Sequence, residues 1–284
     1  MKTKASILLT CMLLIIACGS ANAKTIQGNG KLVTKEISIK DYDEISALGG
    51  ATIEYEQSSA SPYLQVTVDE NILPYLDIQV KGKKLNIGYN RDRNDDEVYE
   101  KEDKFGHKNT YRTSANIRPT KYVIKTNSQT LKDISLVAGC QLIIKSNFKT
   151  DHINSNIAGG GSIDFSQSTD FNKGDFSVAG GGSMYLRKFK ATSLECSVAG
   201  GGNIQLNGKV DRADLNAAGG GDIEGYSCEA RKAECNVAGG GSIQVYATDQ
   251  LDASIAAGGK IRYKGNPTVS KSTVAGGSIK KYNE

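Results

Sequence analysis

A glycine-rich phrase that returns about every 20 residues constrains this chain more than any other feature. Each copy has an apolar residue, Ala, two or three Gly or near-equivalents, a small or polar residue, and then Ile or a similar residue. The copies open at Val137, Ile157, Val178, Val198, Ala217, Val237, Ile255 and Val274, in steps of 20, 21, 20, 19, 20, 18 and 19 residues. A period that drifts this little is typical of stacked repeats, because insertions are tolerated at turns but not in packed rungs.

The residues around each phrase alternate between apolar and polar. Leu194, Cys196 and Val198 precede one glycine run, and Ile204 and Leu206 follow it. A period of two indicates β-strands, and consecutive glycines would each cost roughly 1 kcal/mol inside a helix. We therefore predict an all-β chain that forms a right-handed parallel β-helix, or β-solenoid, with the glycine runs at its corners.

Aligning the rungs predicts which side chains face inward and which face solvent. The second residue after each closing Ile is mostly apolar and is expected inside: Phe165, Leu186, Leu206, Gly225, Val245 and Tyr263. The first residue is expected outside, in the column Asp164, Tyr185, Gln205, Glu224, Gln244 and Arg262. The third residue is also expected outside, in the column Ser166, Arg187, Asn207, Tyr226, Tyr246 and Lys264.

The part of the chain before the regular repeats keeps its strand character but loses the clear period. We predict a divergent β-rich lobe over residues 24–130, followed by the solenoid over 131–284. Within the lobe, residues 47–53 are a degenerate copy of the glycine phrase, and residues 81–84 predict a hairpin turn. The charged segment 91–108 lacks an apolar face, and we interpret it as a solvated, mobile loop rather than an acidic site.

The N-terminus has the composition of an export signal over residues 1–23. Lys2 and Lys4 precede the apolar stretch 7–17, which is too short to span a bilayer, and residues 21–23 are small enough for cleavage. We therefore predict an exported protein in the periplasm, at the outer membrane or outside the cell.

The run Ile15-Ile16-Ala17-Cys18 also fits a bacterial lipobox, in which Cys18 becomes a lipidated N-terminus. The two routes need the same charged and apolar regions, so both stay open. A lipid on Cys18 is the only membrane attachment that we expect, because no later segment has 18 consecutive apolar residues.

The overall charge gives no reason to expect a nucleic-acid partner. The chain has 35 basic and 31 acidic residues, and loss of residues 1–23 removes Lys2 and Lys4 but no acid, which leaves a net charge of +2. Nucleic-acid binding proteins carry a concentrated positive charge that this balance does not provide.

The four cysteines outside the signal segment do not predict a metal or redox site, because none forms a Cys-x-x-Cys pair. Cys196 and Cys235 are expected in one inward column two rungs apart, about 9.6 Å, which is too far for a disulfide. Cys140 replaces a corner glycine and Cys228 is expected in an outer turn, so a bridge to either stays open. We predict no metal and no cofactor.

The acidic residues do not predict a catalytic pair. Asp164 and Glu224 are expected three rungs apart, about 14 Å, beyond the separation at which two carboxyl groups flank one glycosidic bond. Asp222 is interpreted as a turn-stabilising residue. His107 and His152 have no nucleophile at a recognisable elbow. We predict no catalytic residues.

Several segments together resemble a known bacterial family. They are the export signal, Gly28-Asn29-Gly30-Lys31, the run from Asp69 to Tyr75, the run from Val80 to Leu85, and the repeated Ala-Gly-Gly-Gly-Ser-Ile. This combination resembles the family described as putative auto-transporter adhesin, head GIN domain, which is common in Bacteroidetes-type bacteria. The resemblance implies a β-helical envelope protein with an adhesive or binding role, and it brings no established catalytic residues.

The outward columns supply the candidate binding residues, which combine aromatic rings, amides and guanidinium groups. They are Tyr185, Arg187, Gln205, Asn207, Glu224, Tyr226, Gln244, Tyr246, Arg262 and Lys264. Such side chains stack on sugar rings and bond to their hydroxyl groups. We predict a non-enzymatic, adhesin-like protein whose partner is a glycan, a cell-surface protein or another envelope component. The alternatives are a carbohydrate-active enzyme on the same scaffold and a structural or assembly partner in the envelope.

Overall fold

The structure is a computed structural model that describes residues 25–90, 97–102, 108–113 and 116–282. The predicted signal sequence and Cys18 lie outside the described residues, as does His107. The described chain is almost entirely strand, with one short 3-10 helix at Leu73–Tyr75. In that part of the chain, no helix is long and apolar enough to cross a membrane.

The strands fall into an irregular first group and a regular second group. The first group is β1 (Thr25–Gln27), β2 (Leu32–Ile37), β3 (Glu44–Leu48), β4 (Thr52–Gln57), β5 (Leu64–Asp69), β6 (Leu76–Lys81), β7 (Lys84–Tyr89), β8 (Glu97–Glu102), β9 (Lys108–Thr113), β10 (Asn116–Arg118) and β11 (Tyr122–Ser128). The second group is β12 (Asp133–Val137), β13 (Gln141–Ile144), β14 (Phe148–Ala158), β15 (Ser162–Gly180), β16 (Ser183–Gly200), β17 (Asn203–Gly219), β18 (Asp222–Gly239), β19 (Ser242–Ala256), β20 (Lys260–Lys264), β21 (Thr268–Val274) and β22 (Ser278–Lys281).

The chain forms two compact units. The smaller unit takes the described residues up to Ile26 and between Arg91 and Arg118, and the larger unit takes Gln27–Asn90 and Pro119–Glu284. In the smaller unit, β1 pairs with β10, and β8 pairs with β9 as an antiparallel hairpin.

A hairpin occupies part of the charged segment 91–108, for which we predicted a solvated, mobile loop. Glu97 lies opposite Thr113, and Glu102 lies opposite Lys108. Two antiparallel strands satisfy the backbone groups that face each other, and this pairing can form without the apolar face that the segment lacks. The rest of the charged segment lies outside the described residues.

The larger unit is a parallel β-solenoid with rungs about 20 residues apart, which confirms the predicted fold class. Each long strand from β15 to β19 runs through most of one rung, from one glycine corner to the next. The strands that follow the corners stack in the order β4, β13, β15, β16, β17, β18, β19, β20 and β22. The stretches that precede the corners stack from β3 through β12 and β14 to β21.

The registers reproduce the repeat alignment at the corners. Val178 lies opposite Val198, which lies opposite Ala217, and the same column continues through Val237 to Ile255. The predicted inward column after the corners is also buried throughout, from Phe165 to Tyr263. The rungs therefore stack as the spacing predicts, with apolar side chains inside.

The first rungs contain strands that are far apart in the sequence. The degenerate copy at residues 47–53 joins the stack, because Ala47 lies opposite Leu136 and Ile53 lies opposite Leu142. One rung further out, β7 pairs in parallel with β3, and β11 pairs in parallel with β4. The predicted hairpin turn at residues 81–84 joins β6 to β7. The antiparallel strands β2, β5 and β6 then end the parallel ladder on this side.

All four described cysteines are buried and free, so neither bridge that the sequence left open is present. Cys196 and Cys235 flank Leu215 in one inward column, as predicted. Cys228 is not in an outer turn: it lies within β18 opposite Gly208, with its side chain buried. An irregularity earlier in the rung shifts the register and turns this side chain inward. Burial raises the pKa of the Cys228 thiol to about 12, so the thiol stays protonated and inert near neutral pH.

A buried carboxylate ties the opening segment of the larger unit to β5. Asp69 accepts hydrogen bonds of 2.7 Å from the backbone N–H of Gly30, from the backbone N–H of Thr120 and from the Thr120 hydroxyl. A Cβ atom on Gly28 would lie 2.5 Å from the Asp69 carboxyl carbon, so only glycine fits beside it. The family resemblance rests partly on the segments 28–31 and 69–75. These contacts explain physically why the two segments occur together.

We expect the melting temperature of Asp69→Asn to fall less at acidic pH than that of the wild type. Burial by itself would raise the pKa of Asp69. The hydrogen bonds from Thr120, Gly30 and Lys121 lower this pKa by more than burial raises it, so the pKa lies below its ordinary value. The carboxylate therefore stabilises the fold above its unfolded-state pKa of about 3.9, and this contribution disappears as the pH falls through the folded pKa. Melting temperatures between about pH 7 and pH 2 test this, with exposed Glu70→Gln as the control. Equal pH slopes for wild type and Asp69→Asn would contradict it.

Candidate functional site

The first predicted outward column is continuous in the structure. Tyr185 lies opposite Gln205, and the column continues through Glu224 and Gln244 to Arg262. Each of these side chains is exposed or half-buried, because it alternates with a buried residue on the same strand. The period of two therefore predicted the direction of these side chains correctly.

The second predicted outward column is interrupted, which corrects the alignment made from the sequence. Asn207 lies opposite Ser227 rather than Tyr226, and Tyr246 lies opposite Glu229. The rung of β18 carries additional residues after Gly225 that have no partners on β19. Such a bulge leaves the extra residues unpaired and bends the strand, so Tyr226 leaves the column that the spacing predicted.

A cleft of about 500 Å³ lies along the outward face of β16 to β19. Seven of the ten candidate residues line it: Tyr185, Arg187, Gln205, Asn207, Glu224, Tyr226 and Gln244. Lys188 and Ser227 also line it and were missed, because both lie at register irregularities that a uniform repeat does not reveal. Tyr246, Arg262 and Lys264 are not among its lining residues.

An ion pair holds the first end of the cleft. The Arg187 guanidinium donates two hydrogen bonds to the carboxylate of Asp164, at 2.8 and 2.9 Å. Its central carbon also lies 5.3 Å from the centre of the Tyr185 ring. The bidentate contact raises the pKa of Arg187 and fixes the guanidinium plane, which in turn limits the positions open to Tyr185.

The floor of the cleft offers hydrogen-bonding groups that the protein itself does not use. Glu224 accepts a 2.8 Å hydrogen bond from the Asn203 side chain. The side-chain amides of Gln205, Asn207 and Gln244 have no hydrogen-bond partner among the described residues. Each amide offers both donors and an acceptor, so three such groups are available to a ligand.

Beyond the far end of the cleft, Tyr226 contacts further aromatic and basic side chains. The Tyr226 ring lies 5.0 Å from the Tyr282 ring, and the Lys264 ammonium lies within 5.2 Å of both ring centres. Burial raises the pKa of Tyr226, and its hydroxyl has no hydrogen-bond partner among the described residues. Tyr282 was not predicted, since it follows the last strand and lies three rungs from Tyr226 in the repeat.

The acids of this face are engaged by neighbouring side chains. Asp164 binds Arg187, Glu224 accepts from Asn203, and Asp222 accepts a 2.5 Å hydrogen bond from Ser242. His152 lies elsewhere, 3.5 Å from a carboxylate oxygen of Asp175. Among the described residues, no three His, Cys, Asp or Glu side chains are grouped to hold a metal ion.

The repeats and the cleft lie within a region that matches a known protein family. The family described as "Putative auto-transporter adhesin, head GIN domain" matches residues 41–267. The chain belongs to this family. The match includes the cleft and all but the last repeat, whereas the Gly28 segment lies outside it. No curated protein matches the chain.

Solved structures of Parabacteroides proteins share the head GIN fold. A "Putative lipid binding protein" from Parabacteroides distasonis is 41% identical over 92% of this chain and 100% of its own, with a TM-score of 0.83. A "putative adhesin" from Parabacteroides merdae is 30% identical over 92% of this chain and 100% of its own, with a TM-score of 0.81. A "putative adhesin" from Parabacteroides distasonis is 28% identical over 91% of this chain and 100% of its own, with a TM-score of 0.80.

Proposed function

We propose that this chain is an adhesin-like, non-enzymatic protein of the cell envelope, exported by residues 1–23, whose cleft binds a saccharide unit of a glycan. One observation carries the proposal: the cleft combines two tyrosine rings, Tyr185 and Tyr226, with the unused amides of Gln205, Asn207 and Gln244. The family membership supports the adhesive role in general.

The chemistry of the cleft suits a sugar better than an apolar ligand. Tyrosine rings offer an apolar face to the C–H surface of a sugar ring, and side-chain amides match the paired donors and acceptors of its hydroxyl groups. A volume of about 500 Å³ is within the range of small-molecule sites.

A lipid is the second candidate, because the relative from Parabacteroides distasonis carries the name "Putative lipid binding protein". Lipid sites are lined mainly by apolar side chains. In this cleft the only aliphatic side chains are Leu186 and Leu206, which are buried in the core behind it. The glycan is therefore the better match, and a lipid is an outcome to be tested.

Glycan binding should depend on the two cleft tyrosines and not on a third that lies outside. We expect Tyr185→Ala and Tyr226→Ala each to weaken binding at least about ten-fold, or about 1.4 kcal/mol, on an array of bacterial and host glycans. Tyr246→Ala is the matched control, because Tyr246 lies on the next rung but does not line the cleft. Thermal melts should first show that each variant is folded.

Three outcomes would overturn this assignment. Binding that survives both cleft substitutions would place the glycan elsewhere, and equal losses in all three variants would point to the general stability of the face. Binding to lipid vesicles in the absence of any glycan binding would favour the lipid candidate.

A further inference from the structure

The last rungs of the solenoid carry a local concentration of positive charge. Residues 253–282 contain no Asp or Glu but contain six basic residues: Lys260, Arg262, Lys264, Lys271, Lys280 and Lys281. The whole chain is nearly balanced, with 35 basic and 31 acidic residues, so this concentration is local. We call the surface formed by β20, β21, β22 and these side chains the basic end.

Ion pairs distinguish the earlier rungs of the stack from the basic end. Ion pairs among the described residues occur along the stack as far as Arg231 and Asp249, for example Arg212 with Glu234. Lys260, Arg262, Lys271, Lys280 and Lys281 make no ion pair with a described residue. The Lys271 ammonium instead lies 5.2 Å from the Tyr263 ring centre and 3.4 Å from the Ile279 carbonyl oxygen.

The basic end also exposes strand edges. β21 pairs with β19 and β22 pairs with β20, and no described strand pairs with the other edge of either one. β21 is exposed along nearly its whole length, and Val274 at its end is 65% exposed, more than any other large apolar side chain of the described chain. An open edge presents unpaired backbone N–H and C=O groups that can accept another strand.

The opposite end of the stack does not share this chemistry. There the outermost strands are β2 and β6, which carry charges of both signs: Lys35 and Glu36 on β2, and Asp77 and Lys81 on β6. Uniform positive charge therefore distinguishes the basic end from the opposite end of the stack.

We propose that the basic end binds an acidic, extended segment of a partner protein, which adds to β21 as a further strand. The free backbone groups select a β-strand, the lysines select its negative charge, and Val274 provides an apolar contact. The same lysines repel the basic end of a second copy, so they disfavour edge-to-edge self-association while they attract an acidic strand. This proposal does not depend on the glycan cleft.

The test uses the whole protein and a labelled nine-residue peptide in which Asp alternates with Val and Thr. Fluorescence polarisation should show saturable binding that weakens as salt rises, because exposed charges are screened. The triple variant Lys271→Glu, Lys280→Glu and Lys281→Glu should reduce affinity at least ten-fold. The matched control reverses three exposed lysines far from the basic end, Lys35→Glu, Lys121→Glu and Lys125→Glu, and should bind like wild type.

Two further probes separate strand addition from attraction to any anion. A peptide of the same sequence with alternate backbone nitrogens methylated keeps its charge but cannot complete the ladder, and it should bind at least ten-fold more weakly. Equal binding of the methylated peptide, or unchanged affinity of the triple variant, would overturn the proposal. Binding to phosphatidylglycerol vesicles but not to the peptide would also overturn it and would identify the basic end as a membrane-facing surface.

Discussion

Replacing Gly161 by Ala is expected to reduce the free energy of unfolding by about 3 kcal/mol or more. Gly161 has a φ of 126°, a conformation that side chains disfavour, and a Cβ atom there would lie 2.3 Å from the carbonyl oxygen of Cys140. That oxygen belongs to the backbone of the adjacent rung, where it accepts a hydrogen bond from Ser162. It cannot move away without breaking the ladder, so the substitution forces two rungs apart.

Gly160→Ala provides the control within the same corner. Gly160 does not have a positive φ, and nothing lies within 4 Å of the position that its Cβ atom would take. Its substitution should change the stability by no more than about 0.5 kcal/mol. Chemical denaturation of both variants, followed by circular dichroism, measures the difference. Similar midpoints for the two would show that the corner adjusts freely and that close contact between rungs does not require glycine.

Phe165→Ala is expected to cost about 3–5 kcal/mol, because it removes a ring at the centre of an aromatic cluster in the solenoid core. Phe165 is fully buried. Its ring centre lies 5.9 Å from that of Phe148 and 5.8 Å from that of Phe176, with both pairs in edge-to-face geometry. Phe165 and Phe176 lie on different parts of β15, and Phe148 lies on the preceding rung, so the cavity left by alanine cannot be filled by a local movement.

The matched variant Phe165→Leu keeps most of the volume and should cost less, about 1.5 kcal/mol or below. Thermal and denaturant unfolding of both variants test the pair. A loss below about 1 kcal/mol for alanine would contradict close packing of the cluster, since cavity formation in a rigid core is costly. A large loss for both would indicate that the edge-to-face contacts matter more than the filled volume.

The candidate site was partly predictable from sequence. Tyr185, Gln205, Glu224 and Gln244 each lie at the same position of successive strands, and their outward direction results from the period of two. Tyr226 was expected in a straight column, but the extra residues of its rung move it out of that column. A repeat alignment shows how many residues a rung contains. It does not show at which point of the rung the additional residues form a bulge.

The first rungs of the solenoid were also only partly predictable from the sequence. Residues 47–53 were recognisable as a rung because they keep the glycine corner. The rung built from β7 and β11 was not recognisable, because the segment from Asn90 to Lys121 separates its two strands in the sequence. Pairing between strands so far apart depends on which edge is available after the chain has collapsed.

By itself, the sequence determined the β-solenoid, its corners, its inward column, its first outward column and its family, because glycine spacing and alternating hydrophobicity act through local backbone geometry and burial. Only the tertiary structure decided the cleft, the approach of Tyr282 to Tyr226, and the open edge of the basic end. These features arise from register shifts and non-local contacts, whose energies depend on neighbours that a repeat pattern does not specify.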